Sequence, residues 1–248
     1  MEDMSKFHSS IDNALSKLGK AEISLKEAQY EALKAIVINR NDSLVILPTG
    51  YGKSLIYQTL PFIFDYLDPS PSLPAIIIVV SPLNALMQEQ VEKLSERVNT
   101  IVLQANDNIK EIHANCQIVF AHPEVFVCGY FRSFAAAMKK RVKAIVIDEA
   151  HLVVEWKSFR PAYTKVSILS SYFPHASVVA LTATATLSMQ KEIKECLGMS
   201  QPAVITVNPD RPNIILPHFL DQAEAVINCL RSLNHLLKNF KPRDMTSH

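Results

Sequence analysis

The chain has 248 residues, 48% of them apolar, which is enough to bury a substantial core and is near the upper size of one domain. Its 25 basic and 24 acidic residues leave a net charge of +1, which excludes an intrinsically disordered chain and an overall basic nucleic-acid-binding surface. The four cysteines are far apart and form no C-x-x-C pair, which argues against a zinc site and a disulfide scaffold.

No apolar run reaches the roughly 20 residues that span a bilayer, and the acidic N-terminus is unlike a secretory signal. Widely spaced cysteines suit a reducing compartment. We therefore expect a soluble intracellular protein with no membrane partner.

The N-terminal residues are mostly polar and carry one weak apolar stripe, formed by Ile11, Leu15 and Leu18. We interpret them as an accessory helix or a frayed terminus. Ser24 and Glu27 then have the S-x-x-E spacing of a capping box, ahead of an apolar helical stripe. A helix is predicted to begin at Ser24.

Short apolar runs rich in β-branched residues alternate with segments of helical periodicity. The runs are predicted strands at Ser43–Leu47, Ala75–Val80, Asn99–Leu103, Gln117–Phe120, Val142–Ile147, Ser177–Leu181 and Ala203–Val207. The predicted helices between them include Lys53–Tyr66, Leu83–Arg97, Gly129–Lys140, Tyr163–Tyr172 and Leu187–Leu197. Because several strands are apolar throughout, the pattern predicts an α/β fold, with a mostly parallel sheet covered by helices on both faces.

The strongest motif is P-T-G-Y-G-K-S at Pro48–Ser54, between a predicted strand and a predicted helix. Its glycines let backbone N–H groups face an anion, Lys53 can reach the β- and γ-phosphates of a nucleotide, and the Ser54 hydroxyl can ligate Mg²⁺. Leu47 replaces the first glycine of the full G-x-x-x-x-G-K-[ST] pattern, which leaves the shorter variant of helicase-type motors. An ordinary glycine-containing turn is the alternative. The predicted cofactor-binding residues are Pro48, Thr49, Gly50, Tyr51, Gly52, Lys53, Ser54 and Leu55.

A second motif, D-E-A-H at Asp148–His151, follows a predicted buried strand. At the end of that strand Asp148 can hold the Mg²⁺ bound to ATP, and Glu149 can orient and deprotonate the attacking water. Taken alone, two such carboxylates are commonly a solvated strand end, and His151 a surface or core histidine. The phosphate loop favours the catalytic interpretation of Lys53, Asp148, Glu149 and His151.

A third motif, L-T-A-T-A at Leu181–Ala185, follows another apolar strand. The hydroxyls of Thr182 and Thr184 can bond the carboxylates and connect the nucleotide state to DNA contact. An ordinary threonine-rich turn is the alternative. Its position after the first two motifs favours the coupling role.

Three further segments complete an ordered set: V-S-P-L-x-x-L-M-x-x-Q-V at Val80–Val91, W-x-x-F-R-P at Trp156–Pro161 and D-R-P-N-I at Asp210–Ile214. Together the six motifs resemble the RecQ family of DNA helicases over about Leu25–Ile214. The resemblance implies a RecA-like P-loop NTPase domain. It also implies 3′-to-5′ DNA helicase activity, in which hydrolysis of ATP with Mg²⁺ drives translocation on single-stranded DNA.

The same resemblance assigns further residues. Gln29 would bond the adenine edge, and Lys26 stands where the family usually has an arginine near the base, although a solvated glutamine is the alternative. Trp156, Phe159 and Arg160 would form an aromatic-rich loop that senses single-stranded DNA, with Arg160 on a phosphate. The loop is one residue shorter than the usual W-G-H-D-F-R-P and lacks its histidine. The alternative is that its aromatics are core residues.

The resemblance places Ser81 and the helix start after it on the DNA backbone, with a plain helix start as the alternative. The densest basic run, Lys139–Lys143, is interpreted as a solvated face rather than a DNA contact.

The expected domains are an accessory segment 1–24, a helicase ATP-binding domain 25–217, and a C-terminal helix and tail 218–248. Motors of the family have two RecA-like domains, and the second supplies an arginine that reaches the γ-phosphate. No Q-x-x-R-x-G-R motif follows Ile214. We therefore expect a fragment, a truncated gene model or a degenerate copy that needs a second helicase domain or chain as partner. The resemblance implies a nuclear location, with the cytoplasm as the alternative.

Two other functions are open to this sequence. One is a nucleotide- and DNA-binding module of helicase descent without productive unwinding. The other is a small-molecule P-loop kinase, which would have no need of the later motifs and ranks far below. RNA helicases share D-E-A-H, but W-x-x-F-R-P and D-R-P-N-I favour DNA.

Overall fold

The computed structural model describes residues 2–68, 73–104, 115–158 and 160–207, all within one compact unit, Met1–Asn208. Three sequence predictions lie outside the described residues. They concern Phe159, the D-R-P-N-I segment Asp210–Ile214 and the C-terminal helix and tail 218–248.

The described residues form one seven-stranded sheet. Its strands are β1 Ser43–Ile46, β2 Ile76–Val80, β3 Thr100–Leu103, β4 Ile118–Ala121, β5 Val142–Ile147, β6 Ser177–Thr182 and β7 Ala203–Thr206. They lie in the order β3-β4-β2-β5-β6-β1-β7, and every pair of neighbours is parallel. The predicted α/β fold is confirmed, and each predicted strand end is within about one residue of the observed end.

Helices connect the strands. They are α1 Glu2–Lys17, α2 Glu27–Val37, α3 Lys53–Leu67, α4 Asn84–Leu94, α5 Gly129–Met138, α6 Leu152–Glu155, α7 Ile168–Tyr172 and α8 Leu187–Leu197. Short 3₁₀ helices span Pro123–Val127 and Pro161–Lys165. Across the described ranges, no helix has both the length and the apolar character that crossing a bilayer requires.

Two apolar cores cover the two faces of the sheet. Alternate residues of a strand point to opposite faces, so Ile77 and Val79 of β2 pack in the core with α1 to α4. Ile76, Ile78 and Val80 of the same strand pack in the core with α5 to α8. This two-sided burial explains why the strand sequences lack polar alternation.

The start of α2 differs from the prediction. The helix begins at Glu27, with Lys26 rather than Ser24 at the cap position. The Lys26 backbone N–H donates to Gln29 Oε1 at 2.9 Å, so the glutamine side chain satisfies the helix end. The predicted capping box at Ser24 was therefore wrong.

The predicted helix Tyr163–Tyr172 is also corrected. The segment forms a 3₁₀ helix that ends at Lys165 and then the short α7. Its buried residues are Tyr163 in the 3₁₀ helix, Val166 directly after it and Leu169 in α7. The predicted apolar stripe is present, but two short helices carry it instead of one.

Phe7 is fully buried on the inner face of α1, and its ring centroid lies 5.7 Å from that of Tyr30 in α2. Phe7→Ala removes this packing, so we expect the free energy of unfolding to fall by about 3–5 kcal/mol. Urea unfolding followed by circular dichroism measures the change. Ser9→Ala, on the exposed side of α1, is the matched control, with an expected change below about 0.5 kcal/mol. Equal stability of the two variants would show that α1 lies outside the folded core.

Candidate functional site

The carboxyl ends of four parallel strands meet at one edge of the sheet, and the motif residues lie there. The loop Pro48–Ser54 follows β1, Ser81 follows β2, Asp148 follows β5 and Thr182 ends β6. A cavity of about 280 Å³ opens at this edge. Its lining includes Gly50, Lys53, Ser54, Ser81, Asp148 and Glu149. The structure thus brings the phosphate loop and the D-E-A-H carboxylates together.

The phosphate loop depends on two glycines in the left-handed region. Gly50 has φ 81° and Gly52 has φ 94°, and Gly52 caps the start of α3. Lys53 follows directly, and its Nζ donates to the Leu47 carbonyl at 3.2 Å. The Lys53 ammonium therefore lies at the other end of the loop, close enough to pair with an anion bound at the start of α3.

Gln29 ties the start of α2 to the phosphate loop. Its side chain is 3% exposed, and Nε2 donates to the carbonyls of Tyr51 at 3.2 Å and Gly52 at 3.0 Å. Lys26 Nζ lies 4.3 Å from the centroid of the Tyr51 ring, a cation–π contact. Both residues that the resemblance assigned to adenine thus contact the loop that would carry the phosphates.

The two carboxylates differ in their electrostatics. Burial, followed by the charge of Glu149, raises the pKa of Asp148 to about 6. The Glu149 N–H, which donates to Asp148 Oδ1 at 3.0 Å, and the charge of Lys53 offset part of that rise. Glu149 itself has φ 48°, a strained backbone for a residue with a Cβ. The site therefore favours a cation beside Asp148.

His151 lies between the carboxylates and the L-T-A-T-A segment. Its Nδ1 is 3.0 Å from Thr182 Oγ1 and 3.4 Å from Glu149 Oε2. Thr182 Oγ1 donates onward to the Thr184 carbonyl at 3.0 Å. The sequence predicted a direct bond between the threonine hydroxyls and the carboxylates, and this was wrong. The Ala150 N–H donates to the Leu181 carbonyl, which sets the imidazole against Thr182 instead.

Ser81 is 3% exposed and lines the cavity. Its carbonyl accepts from Nδ1 of His122, at 3.1 Å, when that nitrogen carries the proton. The predicted DNA-contact residue is thus buried beside the nucleotide-binding edge, and the exposed start of α4 follows it.

Arg160 and Trp156 form a packed cluster beside that edge. Arg160 donates through Nε and Nη2 to the two carboxylate oxygens of Glu124, and through Nη1 to the Pro82 carbonyl at 3.0 Å. Its guanidinium also lies 5.8 Å from the Trp156 ring centroid. Trp156 is half-buried and packs edge-on to Tyr163. The aromatic-rich loop is therefore anchored to the V-S-P-L segment.

Sequence reasoning missed His122 and Glu124. They lie in A-H-P-E, directly after the buried strand β4, at the same edge of the sheet as Asp148. Polar residues at the carboxyl end of a parallel strand were the available signal.

The basic run Lys139–Lys143 lies away from this edge. Lys139 and Lys140 are exposed, as expected for the solvated face that we favoured. Arg141 differs, because it donates to the carbonyls of Pro74 and Cys116 next to the amino ends of β2 and β4.

The donor set fits a magnesium ion that arrives with a nucleotide. The Ser54 hydroxyl and the Asp148 carboxylate are hard oxygen donors in one cavity, and the raised pKa of Asp148 favours a cation there. In the described part of the chain, no group of three or more histidine, cysteine, aspartate or glutamate side chains is arranged to hold a metal ion.

The chain is similar to known proteins over most of its length. Residues 26–193 match the family model for DEAD/DEAH box helicases. The chain is 34% identical over 202 residues to the ATP-dependent DNA helicase RecQ of Pasteurella multocida, covering 77% of this chain and 30% of that protein. It is 31% identical to the probable ATP-dependent DNA helicase RecS of Bacillus subtilis, covering 86% of this chain and 43% of that protein. The chain thus spans less than half the length of these relatives.

Two solved structures share the fold. The Pyrococcus furiosus Hef helicase domain has a TM-score of 0.50 at 21% identity, covering 74% of this chain and 39% of that chain. Saccharomyces cerevisiae Dbp5, solved with Nup159, Gle1, IP6 and ADP, has a TM-score of 0.56 at 14% identity, covering 79% of this chain and 52% of that chain. At such identities the likeness concerns the fold alone.

Gly52→Ala tests the contact between the phosphate loop and Gln29. A Cβ at position 52 would lie 2.6 Å from Gln29 Nε2, whereas a Cβ at Gly50 would meet nothing within 4 Å. Both glycines have positive φ, so Gly50→Ala is a control for backbone strain alone. We expect Gly52→Ala to lose about 1 kcal/mol more unfolding free energy, because the Gln29 hydrogen bonds are displaced. Equal losses in urea unfolding would contradict this.

Asp148→Asn tests the cost of burying the carboxylate. At pH 8 Asp148 is ionised in both states, and the folded state bears the cost of burial; this cost is relieved as the pH falls through about 6. We expect the variant to gain about 1–3 kcal/mol without nucleotide at pH 8, and about a third of that at pH 4.5. Calorimetry measures both values, with the exposed Glu155→Gln as control. Equal gains at the two pH values would argue against a buried charge.

Proposed function

Because the chain belongs to the DEAD/DEAH box helicase family, we propose that it is the ATP-hydrolysing domain of a RecQ-type DNA helicase that moves 3′ to 5′ on single-stranded DNA. One observation carries the proposal. Lys53 and Ser54 of the phosphate loop line a single cavity with Asp148 and Glu149, which are more than 90 residues away in sequence. Phosphoryl transfer from ATP needs such positioning and neutralisation of charge.

The phosphate loop binds the nucleotide. Backbone N–H groups at Gly50 and Gly52 and the N-terminus of α3 attract the phosphates, and Lys53 exchanges its neutral partner, the Leu47 carbonyl, for an anionic oxygen. Ser54 and Asp148 hold Mg²⁺, which neutralises phosphate charge when it is bound with ATP. A cation beside Asp148 would stabilise its ionised form and so lower its raised pKa.

Glu149 is proposed to act on the attacking water. Glu149 lines the cavity, and His151 contacts both Glu149 and Thr182. A displacement of the Thr182–Thr184 turn would therefore shift the His151 imidazole, which contacts the general base Glu149. This contact supports a coupling role for Thr182, with Thr184 contributing its backbone carbonyl.

Lys26 and Gln29 are proposed to contact the base. They contact Tyr51 and Gly52 of the phosphate loop. Binding of adenine would therefore affect the loop that binds the phosphates. Gln29 uses both amide hydrogens on loop carbonyls in this structure, and contact with adenine would replace one of them.

Trp156 and Arg160 are proposed to contact single-stranded DNA, with Ser81 and the start of α4 nearby. Aromatic stacking and a guanidinium–phosphate pair tolerate any base sequence, as a translocating motor requires. The larger size of the relatives suggests a second helicase domain as partner. The 3′-to-5′ polarity and a nuclear location remain predictions from the resemblance.

Steady-state release of phosphate from Mg²⁺-ATP, with and without single-stranded DNA, tests the proposal. We expect DNA to stimulate release. Glu149→Gln should lower turnover about 10²- to 10⁴-fold with ATP binding retained, because it removes the general base. Lys53→Ala should abolish both turnover and ATP binding. Lys140→Ala, exposed and distant from the cavity, is the matched control and should behave as wild type.

ATP binding without turnover in the wild-type chain would leave a nucleotide-binding module of helicase descent. Turnover that Glu149→Gln does not lower would contradict the assigned general base.

A further inference from the structure

The guanidinium of Arg160 is held by a carboxylate. Nη2 donates to Glu124 Oε2 at 2.8 Å, and Nε donates to the other oxygen of the same group. Two parallel N–H donors on one carboxylate form the forked geometry that arginine also uses on a phosphate. Glu124 thus occupies the donors that the proposed function assigns to the DNA backbone.

The pair is accessible to solvent. The side chain of Glu124 is 45% exposed and that of Arg160 is 22% exposed. A partly exposed carboxylate regains water when its partner leaves, so separating this pair costs less than separating a fully buried one. A DNA phosphate can therefore replace the carboxylate without opening the core.

The remaining contacts of Arg160 join it to the nucleotide-binding edge. Nη1 donates to the carbonyl of Pro82, the residue after the cavity-lining Ser81, and Nη2 lies 3.4 Å from Nδ1 of His122. His122 Nδ1 in turn lies 3.1 Å from the Ser81 carbonyl. Release of Arg160 from Glu124 would therefore change contacts one residue away from the ATP cavity.

We propose that Glu124 is an internal competitor for DNA: its carboxylate holds Arg160 in the DNA-free chain, and a phosphate of single-stranded DNA must displace it. This inference rests on the proposed function, in which Arg160 pairs with a phosphate. Glu124 is a positioning residue that lowers the affinity for DNA. Arg160 leaves Glu124 only when a DNA phosphate binds.

The charges around the pair agree with this role. The hydrogen bonds and charge of Arg160 outweigh the effect of burial and lower the pKa of Glu124, so the carboxylate is anionic at neutral pH. Burial and the nearby Arg160 lower the pKa of His122, so the imidazole is mainly neutral there. Arg160 is therefore the cation that Glu124 faces in this cluster.

The experiment measures binding of a fluorescent oligo(dT) by anisotropy at several salt concentrations. Glu124→Gln keeps the shape and removes the charge, so it should bind about two- to five-fold tighter, the range set by an exposed ion pair. The slope of log binding constant against log salt concentration should steepen by about 0.7. In this variant the DNA phosphate no longer replaces the Glu124 carboxylate on Arg160. Glu155→Gln removes the same charge from the exposed end of α6 and is the matched control, with wild-type affinity and slope expected.

Arg160→Ala, alone and combined with Glu124→Gln, completes a double-mutant cycle. It should bind DNA more weakly than wild type, and Glu124→Gln should have no effect when Arg160→Ala is also present, because the competitor has lost its target. The inference is overturned if Glu124→Gln binds DNA no tighter than wild type. It is also overturned if Glu124→Gln tightens binding equally in the Arg160→Ala background. Neither outcome contradicts DNA binding itself. Loss of DNA binding in every variant, with Mg²⁺-ATP still bound, instead overturns the DNA part of the proposed function.

Discussion

Parallel pairing of β1, β5 and β6 is the constraint on which the site depends. Carboxyl ends of parallel strands lie at one edge, and hydrogen bonds beyond the strands extend that order into the loops. The Leu47 N–H donates to the Thr182 carbonyl at 3.0 Å, and the Asp148 N–H donates to the Val80 carbonyl at 2.9 Å. Four motifs distant in sequence are thereby held at one edge, and three of them, the phosphate loop, V-S-P-L and D-E-A-H, line one cavity. Apolar burial on both faces of the sheet supplies the stability that holds this edge together.

The same edge concentrates groups that destabilise the chain without ligands. Asp148 is a buried carboxylate next to a second carboxylate, Glu149 has a strained backbone, and the Lys53 ammonium donates to a neutral carbonyl. A nucleotide with its cation would offset the costs at Asp148 and Lys53. Stability given up at a site that must bind charge is a common feature of enzymes.

Polar contacts connect the cavity to neighbouring segments on two sides. His151 joins Glu149 to Thr182, and Arg160 joins the aromatic-rich segment to Pro82 beside Ser81. Both connections run through side-chain hydrogen bonds, and Arg160 also packs against the Trp156 ring. Such contacts can be remade when a ligand arrives, whereas the packed sheet beneath them keeps its shape.

The sequence by itself determined the seven strands to within about one residue, the parallel α/β class and the residues of the phosphate loop, because hydrophobic period and glycine placement are local properties. Tertiary structure decided the rest. The Gln29 side chain caps α2, which begins three residues later than predicted. The Thr182 hydroxyl contacts His151 and not a carboxylate as expected. Glu124 meets Arg160 across 36 positions of sequence, a contact that only the packing of two 3₁₀ segments creates. No local pattern encodes such a pair, since its partners are set by how distant elements pack.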